Sequence, residues 1–369
     1  MMQLIFFAVS VLVLLLGHFF LWQFFVIFLN VSSLTGRTYV ALLILFLFLS
    51  VILASYLIHK SDNLFTRWYY IVSSFWIGLL VNLFLSAFLV IFLKFVIPLL
   101  HINISNLVYQ ILFFVVAIAV SVYGICAARF PQVTEYTVFI KDLPVYWEDK
   151  TIVQISDVHL GPVYRQYFFD RIMDRIALVK PEAVFITGDL FDGMEADFSW
   201  FGKPFNKVKP NSGIFYSFGN HDLYLGLNRS TEILKNSPVI ILDNKMKEVE
   251  GLQIIGINYS FEKDFDLEKN ILEQVGYNKD KPSLLLFHAP KNIELAKSAG
   301  IDLQLSGHTH DGQLFPFNFM AKWMHRGYGY GLFQLEDFSL VVSRGVGTWG
   351  PPMRTSGPSE IVKITLKKK

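Results

Sequence analysis

The first 126 residues of the chain carry only five charged side chains, and this scarcity of charge restricts the fold more than any other feature. The five are Arg37, Lys60, Asp62, Arg67 and Lys94. A helix needs about 20 mostly apolar residues to cross a bilayer. Four stretches of this region meet that length, at roughly residues 4–29, 38–58, 68–98 and 107–127. The region cannot form a water-soluble domain, and we predict a four-helix transmembrane region over residues 1–128.

The first apolar stretch differs from a secretory signal. It has no basic start, its apolar run is too long, and no small-residue cleavage site follows it. We therefore expect a retained helix. Four spans put the N-terminus, the break at residues 59–67 and the C-terminal part on one side. That side carries Lys60, Arg67 and Arg129, and basic residues favour the cytoplasmic face, so we predict a cytoplasmic C-terminal domain.

His18 is an ionisable residue near the middle of a predicted span. Such residues are candidates for function, but no other span supplies an Asp, Glu or Arg to form a relay with it. We predict that His18 is hydrogen-bonded inside the helix bundle, in a structural role rather than in transport.

The remaining 243 residues have the composition of a water-soluble domain. They carry 28 Lys and Arg against 29 Asp and Glu, and they are numerous enough to bury a core. They contain no basic patch that would indicate nucleic-acid binding. Cys126 is the only cysteine of the chain, which excludes disulfides, zinc ribbons and thiol redox pairs within one chain.

Short β-rich runs alternate with amphipathic helical segments in this part of the chain. The run "TIVQIS" at residues 151–156 and the run "AVFIT" at residues 183–187 flank a segment whose apolar residues have helical spacing. Those residues are Phe169, Ile172, Met173 and Ile176. A strand, helix, strand unit predicts parallel pairing.

Further strands are predicted at residues 213–218, 239–243, 252–258, 283–287, 303–306, 339–343 and 361–366. About nine strands with fewer helices indicate two packed sheets flanked by helices over residues 151–369. Residues 129–150 form a linker and a first strand.

Histidine, aspartate and asparagine follow strand after strand. The turns hold Asp157, His159, Asp189, Asp192, Asn220, His221, Asp222, His288, His308 and His310. Five of the six histidines of this part lie in these turns, and the sixth, His325, is expected to be a surface or core residue. Because the carboxyl ends of parallel strands meet at one crevice, we expect the turn residues to converge.

The side chains in these turns are carboxylates, imidazoles and an amide, without a thiolate. This set suits Mn²⁺, Fe, Zn²⁺ or Mg²⁺ rather than Ca²⁺ or copper(I). The candidate groups are too many for one ion, because such sites use three or four protein ligands. Two ions that share one carboxylate would account for the whole set.

The ordered blocks "SDVHLG", "GDLFD", "GNHD", an isolated His and "GHTH" resemble the calcineurin-like metallophosphoesterase superfamily over roughly residues 150–312. The blocks "GHTHDGQ" and "SRGVGTWGPPMRTSGPSEIVKITL" resemble its YkuE-like bacterial branch, which includes membrane-tethered members. The resemblance implies an α/β metallophosphoesterase domain, two packed mixed β-sheets in an α/β/β/α sandwich. It does not cover the four predicted spans, which make the expected protein a multi-pass one, in the bacterial inner membrane.

The resemblance also implies a role for each residue of the turns. The first ion would be held by Asp157, His159 and His310, and the second by Asn220, His288 and His308. Asp189 would bridge both ions. His221 would be the catalytic histidine, and Asp192 the acid that orients it. We expect Thr309 and Asp222 to support these residues, and Gly188, Gly219 and Gly307 to permit tight turns near the metals.

The expected activity is hydrolysis of a phosphomonoester, phosphodiester or pyrophosphate by a metal-bridging hydroxide. Mn²⁺ is the first choice for the two ions. The bilayer and a phosphorylated small molecule or lipid are the expected partners, and a nucleotide-activated acylated sugar is one such substrate. Arg165, Arg344 and Arg354 either contact a substrate phosphate or form structural ion pairs. The alternative is a catalytically silent membrane scaffold or sensor.

Overall fold

A computed structural model describes residues 2–260 and 265–369 of the chain. The chain forms two compact units. One unit comprises Met1–Gly124 with Gly350–Pro352, and the other comprises Ile125–Trp349 with Met353–Lys369. We call the first the membrane unit and the second, after the activity expected for it from the sequence, the catalytic unit.

The membrane unit is built from long apolar helices. They are α1 (Met2–Phe28), α2 (Leu34–Lys60), α3 (Leu64–Leu99) and α4 (Asn106–Arg129). All four are long and apolar enough to cross a bilayer. Capping side chains define two of the starts: Ser33 accepts a hydrogen bond from the backbone of Gly36 before α2, and Asn63 forms a capping box before α3. The prediction of four membrane helices is confirmed.

Polar side chains of the membrane unit bond to each other and to helix carbonyls. Nδ1 of His18 donates to the carbonyl of Leu14 (2.7 Å), and Nε2 of the same ring accepts from Nε1 of Trp76 (2.8 Å). The amide of Asn82 donates to the hydroxyl of Ser121 at 2.9 Å. Both ring nitrogens of His18 therefore have partners within the bundle, as expected for a structural residue.

The catalytic unit contains two six-stranded sheets. The first has the order β1-β12-β2-β3-β4-β5 and the second β10-β11-β9-β8-β7-β6. The strands of the first sheet are β1 (Gln132–Ile140), β2 (Thr151–Ile155), β3 (Ala183–Thr187), β4 (Gly213–Ser217), β5 (Val239–Ile241) and β12 (Glu360–Lys368). Those of the second are β6 (Lys245–Val249), β7 (Leu252–Ile257), β8 (Ser283–Phe287), β9 (Leu303–Ser306), β10 (Gly331–Leu335) and β11 (Phe338–Val342).

Parallel pairing joins the strands that carry the candidate ligands. Strands β2, β3 and β4 are parallel neighbours, with Ile152 opposite Ala183, and β8 is parallel to β9. The predicted parallel unit of β2 and β3 is confirmed. Strand β12 runs antiparallel to β2 and parallel to β1, which makes the first sheet mixed.

Helices pack on the outer faces of the sheets. The helices described in this unit are α5 (Gln166–Val179), α6 (Asn220–Leu225), α7 (Leu227–Leu234), α8 (Phe265–Gln274), α9 (Ile293–Ser298) and α10 (Phe317–Met324), the last of which keeps its large apolar side chains exposed. The predicted apolar face of α5 packs on the first sheet, and α9 packs on the second. Phe185 and Phe215 of the first sheet meet Leu284 and Leu305 of the second in the layer between them. The α/β/β/α sandwich is confirmed.

Two strands were not predicted, and both are edges of the second sheet. The sequence of β6, "KMKEV", is polar and mostly exposed, and β10 is half-buried. An edge strand is paired on one side only and needs no continuous apolar run. Its register is therefore weakly marked in the sequence.

Candidate metal centre

The candidate ligands follow the parallel strands of both sheets. Asp157 and His159 follow β2, Asp189 follows β3, Asn220 opens α6 after β4, His288 follows β8, and His308 and His310 follow β9. Five of these seven residues have φ angles between 49° and 70°, in the left-handed region: Asp157, His159, Asp189, His308 and His310. That region costs a non-glycine residue roughly 1–2 kcal/mol. Such backbone strain is kept at functional sites, where the surrounding structure enforces it.

One group of ligand atoms is formed by Asp157, His159 and His310. Nε2 of His159 lies 3.0 Å from Nε2 of His310, which lies 3.4 Å from Oδ1 of Asp157. All three side chains are buried. The loops after β2 and β9 therefore present one carboxylate and two imidazoles to the same point.

A second group is formed by Asp189, His288 and His308. Nε2 of His288 lies 3.1 Å from Oδ2 of Asp189 and 3.2 Å from Nδ1 of His308. The same oxygen of Asp189 lies 4.0 Å from Nε2 of His159, in the first group. Asp189 is thus within reach of both groups, as expected for a shared carboxylate.

Asn220 adds a neutral oxygen beside the second group. It precedes His221, whose backbone N–H donates to Oδ1 of Asp189 at 2.8 Å. Oδ1 of Asn220 is buried and accepts no hydrogen bond from the described residues. A buried oxygen without a donor carries a free-energy cost, which a cation would remove.

The two groups fit divalent ions of the transition-metal type. Within each group the ligand atoms lie within 4.8 Å of one another. Ligands bonded to one ion at about 2.0–2.2 Å can be at most about 4.4 Å apart, so small adjustments of the side chains suffice. Mixed carboxylate, imidazole and amide donors without thiolate suit Mn²⁺, Fe or Zn²⁺.

Asp189 and His288 form a buried ion pair in the metal-free protein. Burial lowers the pKa of His288, but the charges of Asp189 and Asp157 outweigh it and raise that pKa to about 9. Burial raises the pKa of Asp189, but the His288 charge dominates and holds it below its ordinary value. The proton on His288 therefore occupies the position that a cation would take.

His308 and His310, the two histidines of the β9 loop, stay neutral. Burial, reinforced by the charge of His288, lowers the pKa of His308 to about 3. Burial, reinforced by His159 and Arg354, lowers the pKa of His310 well below its ordinary value. A neutral imidazole keeps the lone pair that metal coordination requires.

Asp222 and the turn glycines support the ligands. The carboxylate of Asp222 accepts hydrogen bonds from the backbone N–H groups of Asp189 (2.8 Å), Phe191 (3.0 Å) and Gly219 (2.7 Å). A Cβ atom at Gly219 would lie 2.2 Å from Oδ1 of Asp189, and one at Gly307 would lie 2.2 Å from Oδ2 of Asp157. The structure thus requires glycine where backbone and ligand approach closely.

Asp192 contacts two histidines through different atoms. Its backbone carbonyl accepts a hydrogen bond from Nδ1 of His221 at 3.1 Å. Its carboxylate lies 3.1 Å from Nδ1 of His159, an arrangement that fixes the ring of a metal ligand. The resemblance implied only the contact with His221, and the sequence does not reveal the one with His159.

Arg354 does not face a substrate, which corrects one of the expected phosphate contacts. Its side chain is completely buried. The guanidinium donates to the carbonyls of His310 (3.2 Å) and Gly347 (2.8 Å), and it lies 3.1 Å from Nδ1 of His310. Arg354 therefore fixes the β9 loop from behind.

The other two arginines keep part of their side chains exposed. Nε of Arg344 donates to Asp311 at 3.1 Å, and its guanidinium stacks on the ring of Tyr330 at 3.6 Å. Arg165 lies 3.8 Å from the carboxylate of Asp197. Arg344 is linked to the ligand loop through Asp311, which directly follows His310 in the sequence.

Aromatic side chains around the ligands were not predicted. His325 lies with its ring 5.9 Å from that of His308, and Tyr259 lies 5.4 Å from the same ring. Tyr224 and Trp349 flank His221 at 5.2 and 6.2 Å. The run "HRGYGYG" at residues 325–331 was the one sequence signal of such a rim.

Comparison with known proteins identifies the family. A family model described as calcineurin-like phosphoesterase matches residues 150–312. An uncharacterized metallophosphoesterase of Campylobacter jejuni is 34% identical over 338 residues, which cover 88% of this chain and 89% of that protein. The chain belongs to the calcineurin-like phosphoesterase family.

Two further relatives of this metallophosphoesterase bear on its architecture. A Danio rerio protein named transmembrane protein with metallophosphoesterase domain is 30% identical, over 70% of this chain and 62% of that protein. The uncharacterized metallophosphoesterase YkuE of Bacillus subtilis is 25% identical, over 64% of this chain and 85% of that protein. The protein is a multi-pass integral membrane metallophosphoesterase, a phosphoester hydrolase by family.

Proposed function

We propose that the protein is a membrane-anchored, dinuclear metal-dependent phosphoesterase that cleaves a phosphomonoester, phosphodiester or pyrophosphate bond. The observation that carries the proposal is the position of Asp189 within reach of two ligand groups. Asp157, His159 and His310 would hold one ion, and Asn220, His288 and His308 the other. A pair of divalent ions held there, with Mn²⁺ as our first choice, would supply the charge that neutralises a phosphate and acidifies a water molecule.

His221 is the proposed proton donor to the leaving group. Nδ1 must carry a hydrogen in order to donate to the carbonyl of Asp192. Nε2 is then the atom that can hold the proton taken by the departing oxygen. The hydrogen bond from the backbone N–H of His221 to Asp189 keeps this residue beside the shared carboxylate.

Recognition of the phosphate is proposed for Arg344 and Arg165. Arg344 is held by Asp311 and Tyr330, so its guanidinium is oriented before substrate binds. Such a fixed guanidinium can donate two parallel hydrogen bonds to phosphate oxygens. Arg165 is bound less tightly, by an exposed carboxylate.

A lipid-linked substrate is the finer part of the proposal. One helix suffices to tether an enzyme, whereas this chain has four. A substrate that reaches the site from the bilayer, such as a nucleotide-activated acylated sugar, would give the additional helices a purpose. We further propose a cytoplasmic catalytic unit in a bacterial inner membrane. Lys60, Arg67 and Arg129 lie near helix ends, and with four spans these ends would share one side of the membrane with that unit, where basic residues favour the cytoplasm.

The test combines metal analysis with an Mn²⁺-dependent assay on mono-, di- and pyrophosphate substrates, including lipid phosphates resolved by thin-layer chromatography. The wild-type protein should bind two ions per chain and hydrolyse at least one of these classes. Hydrolysis confined to soluble nucleotides would remove the lipid proposal. Two bound ions with no turnover on any class would favour the silent scaffold.

Two substitutions separate binding from catalysis. His221→Ala should leave metal content unchanged and lower turnover about 100-fold or more, because it removes the proton donor. Asp189→Ala should abolish loading of both ions and all turnover. Asp170→Asn, at a partly exposed carboxylate of α5 that pairs with Lys207, is the control and should change neither. Unchanged turnover in His221→Ala would remove this residue from the mechanism.

A further inference from the structure

The segment Phe315–Met324, which includes α10, exposes its apolar side chains to solvent. The exposed fractions are Phe315 43%, Phe317 39%, Phe319 64%, Met320 51%, Trp323 79% and Met324 61%. Within α10, the small side chain of Ala321 is the buried one. An amphipathic helix of a soluble domain turns its large apolar residues inward. A contiguous exposed patch of this kind marks an interaction surface.

The charged residues within this segment and in the loop that follows it are basic. From Gly312 to Leu335 the sequence contains no Asp or Glu, whereas Lys322 and Arg326 are both present and exposed. Exposed Trp, Phe and Met side chains next to Lys and Arg are typical of helices that lie in the interface of an anionic bilayer. The combination of exposed apolar side chains and basic charge therefore favours an anionic lipid surface as the partner of this segment.

The chain connection ties the first strand of the catalytic unit to a membrane helix. Helix α4 ends at Arg129 and β1 begins at Gln132. Two residues span only about 7 Å when extended, so the start of β1 is tethered to the end of a membrane-spanning helix. A bilayer is therefore available to this unit in every molecule, whereas a soluble partner would have to be recruited.

The segment is also joined to the metal centre at both ends. Phe315 lies five residues after His310 in sequence, and His325, which follows α10, contacts the ring of His308. The hydroxyl of Thr309 donates to the carbonyl of Gly329 at 2.6 Å. Whatever binds the segment is therefore held next to the second ligand group.

We propose that Phe315–Met324 is a membrane-docking segment. Its apolar side chains enter the interface of the bilayer in which the protein is embedded, and Lys322 and Arg326 contact anionic headgroups. Docking brings the adjoining metal centre close to phosphates at the headgroup level. This last consequence rests on the proposed phosphoesterase function, whereas docking itself does not.

A fluorescent label tests docking in the full-length chain. Cys126→Ser removes the only cysteine, and Met320→Cys then carries an environment-sensitive label in nanodiscs that contain phosphatidylglycerol. We expect blue-shifted emission, quenching by doxyl-labelled lipid and protection from iodide. Lys247→Cys, at an exposed position of β6, is the control and should be quenched by iodide alone.

Two outcomes would overturn the proposal. Free access of iodide to the label at position 320 would show an undocked segment. Protection from iodide without quenching by doxyl lipid would show a protein occupant, such as a second copy of the chain.

An activity measurement then separates docking from catalysis. Phe319→Ser with Trp323→Ser should lower turnover of a lipid-borne phosphoester in the same bilayer about tenfold and leave turnover of a soluble aryl phosphate unchanged. Equal losses on both substrates would contradict a docking role. Absence of Mn²⁺-dependent hydrolysis of mono-, di- and pyrophosphate substrates by the wild-type chain would contradict the phosphoesterase proposal and leave the labelling result intact.

Discussion

Buried histidines occur in both units of the protein, and their partners differ. Both ring nitrogens of His18, in the membrane unit, are hydrogen-bonded to Leu14 and Trp76. In the catalytic unit, Nε2 of His159 faces Nε2 of His310, and Nε2 of His288 faces Nδ1 of His308. The Trp76 N–H and the lone pair of His18 make one complete hydrogen bond. In each ligand group of the catalytic unit, by contrast, two imidazole nitrogens and a carboxylate oxygen converge, so that several lone pairs meet at one point, as at a cation site.

The same contrast holds for the backbone. The membrane helices have regular α-helical structure, whereas five candidate ligands of the catalytic unit have left-handed φ angles. Polar groups in a bilayer must be satisfied within the protein. Polar groups of a catalytic site can lack hydrogen-bond partners within the protein when a ligand supplies the missing contacts. Loops with strained backbone are found at such sites. Burial of a polar group is therefore no sign of function by itself. The better criterion is whether its donors and acceptors are satisfied by hydrogen bonds within the protein.

Removal of Asp222 should have the largest effect among the tests of this contrast. Asp222→Ala leaves three buried N–H groups without an acceptor, at about 1–3 kcal/mol each. We expect the free energy of unfolding to fall by roughly 3 kcal/mol or more, and metal affinity to fall about 10–100-fold. Denaturant unfolding in detergent and chelator competition measure the two quantities.

Two variants control for this substitution. Asp222→Asn retains one oxygen acceptor and should lose less stability than Asp222→Ala. Asp170→Ala removes a partly exposed surface ion pair with Lys207 and should cost at most about 1 kcal/mol. Equal losses for Asp222→Ala and Asp170→Ala would contradict the support that we assign to Asp222.

Metal affinity should depend on pH through His288. Its pKa of about 9 in the metal-free protein means that a bound ion must displace a proton below that pH. The apparent Kd should therefore tighten about tenfold per pH unit from pH 6.5 to 8.5 and level off above about 9. Competition with a chelator across this range measures it, and a Kd independent of pH would exclude the ion pair.

The stability of the metal-free protein should show the opposite trend. Because the pKa of His288 is raised on folding, its protonated form stabilises the fold at pH values below the ordinary histidine pKa. That contribution is lost as pH rises toward about 9. Thermal unfolding of chelator-treated protein at several pH values tests the sign, and His288→Asn should abolish the trend.

Substitution of His18 should have the smallest effect. His18→Phe removes the hydrogen bond with Trp76, and bonds of this kind contribute about 0.6 kcal/mol on average in membrane helices. We expect a slightly lower midpoint of SDS-induced unfolding and unchanged turnover. Phe19→Leu, at a neighbouring exposed position, is the control. A large loss of turnover in His18→Phe alone would show that the two histidine classes are not distinct.

The membrane helices and the central strands could be predicted because their burial leaves a continuous apolar signal. The segments of α1 and β3, for example, are predominantly apolar. The edge strands β6 and β10 lack that signal, since one side of each is unpaired. The mixed pairing of β12 with β1 and β2 depends on contacts more than 200 residues apart, which no local pattern records.

The convergence of the candidate ligands followed from a simple rule: each comes directly after a strand, and parallel strands end at a common edge. The supporting contacts did not follow. Nothing local to Arg354 indicates that its guanidinium is buried against His310. The run that begins at His325 suggests an aromatic rim but does not specify contact with His308. Such contacts depend on how loops from different strands pack.

Anomalous X-ray scattering at the manganese edge, from crystals of the full-length protein grown with Mn²⁺, tests the central claim most directly. The account predicts two peaks about 3.5–4 Å apart, on either side of the Asp189 carboxylate. One peak should contact His159 and His310, and the other His288 and His308. A single peak, or peaks away from Asp189, would contradict it.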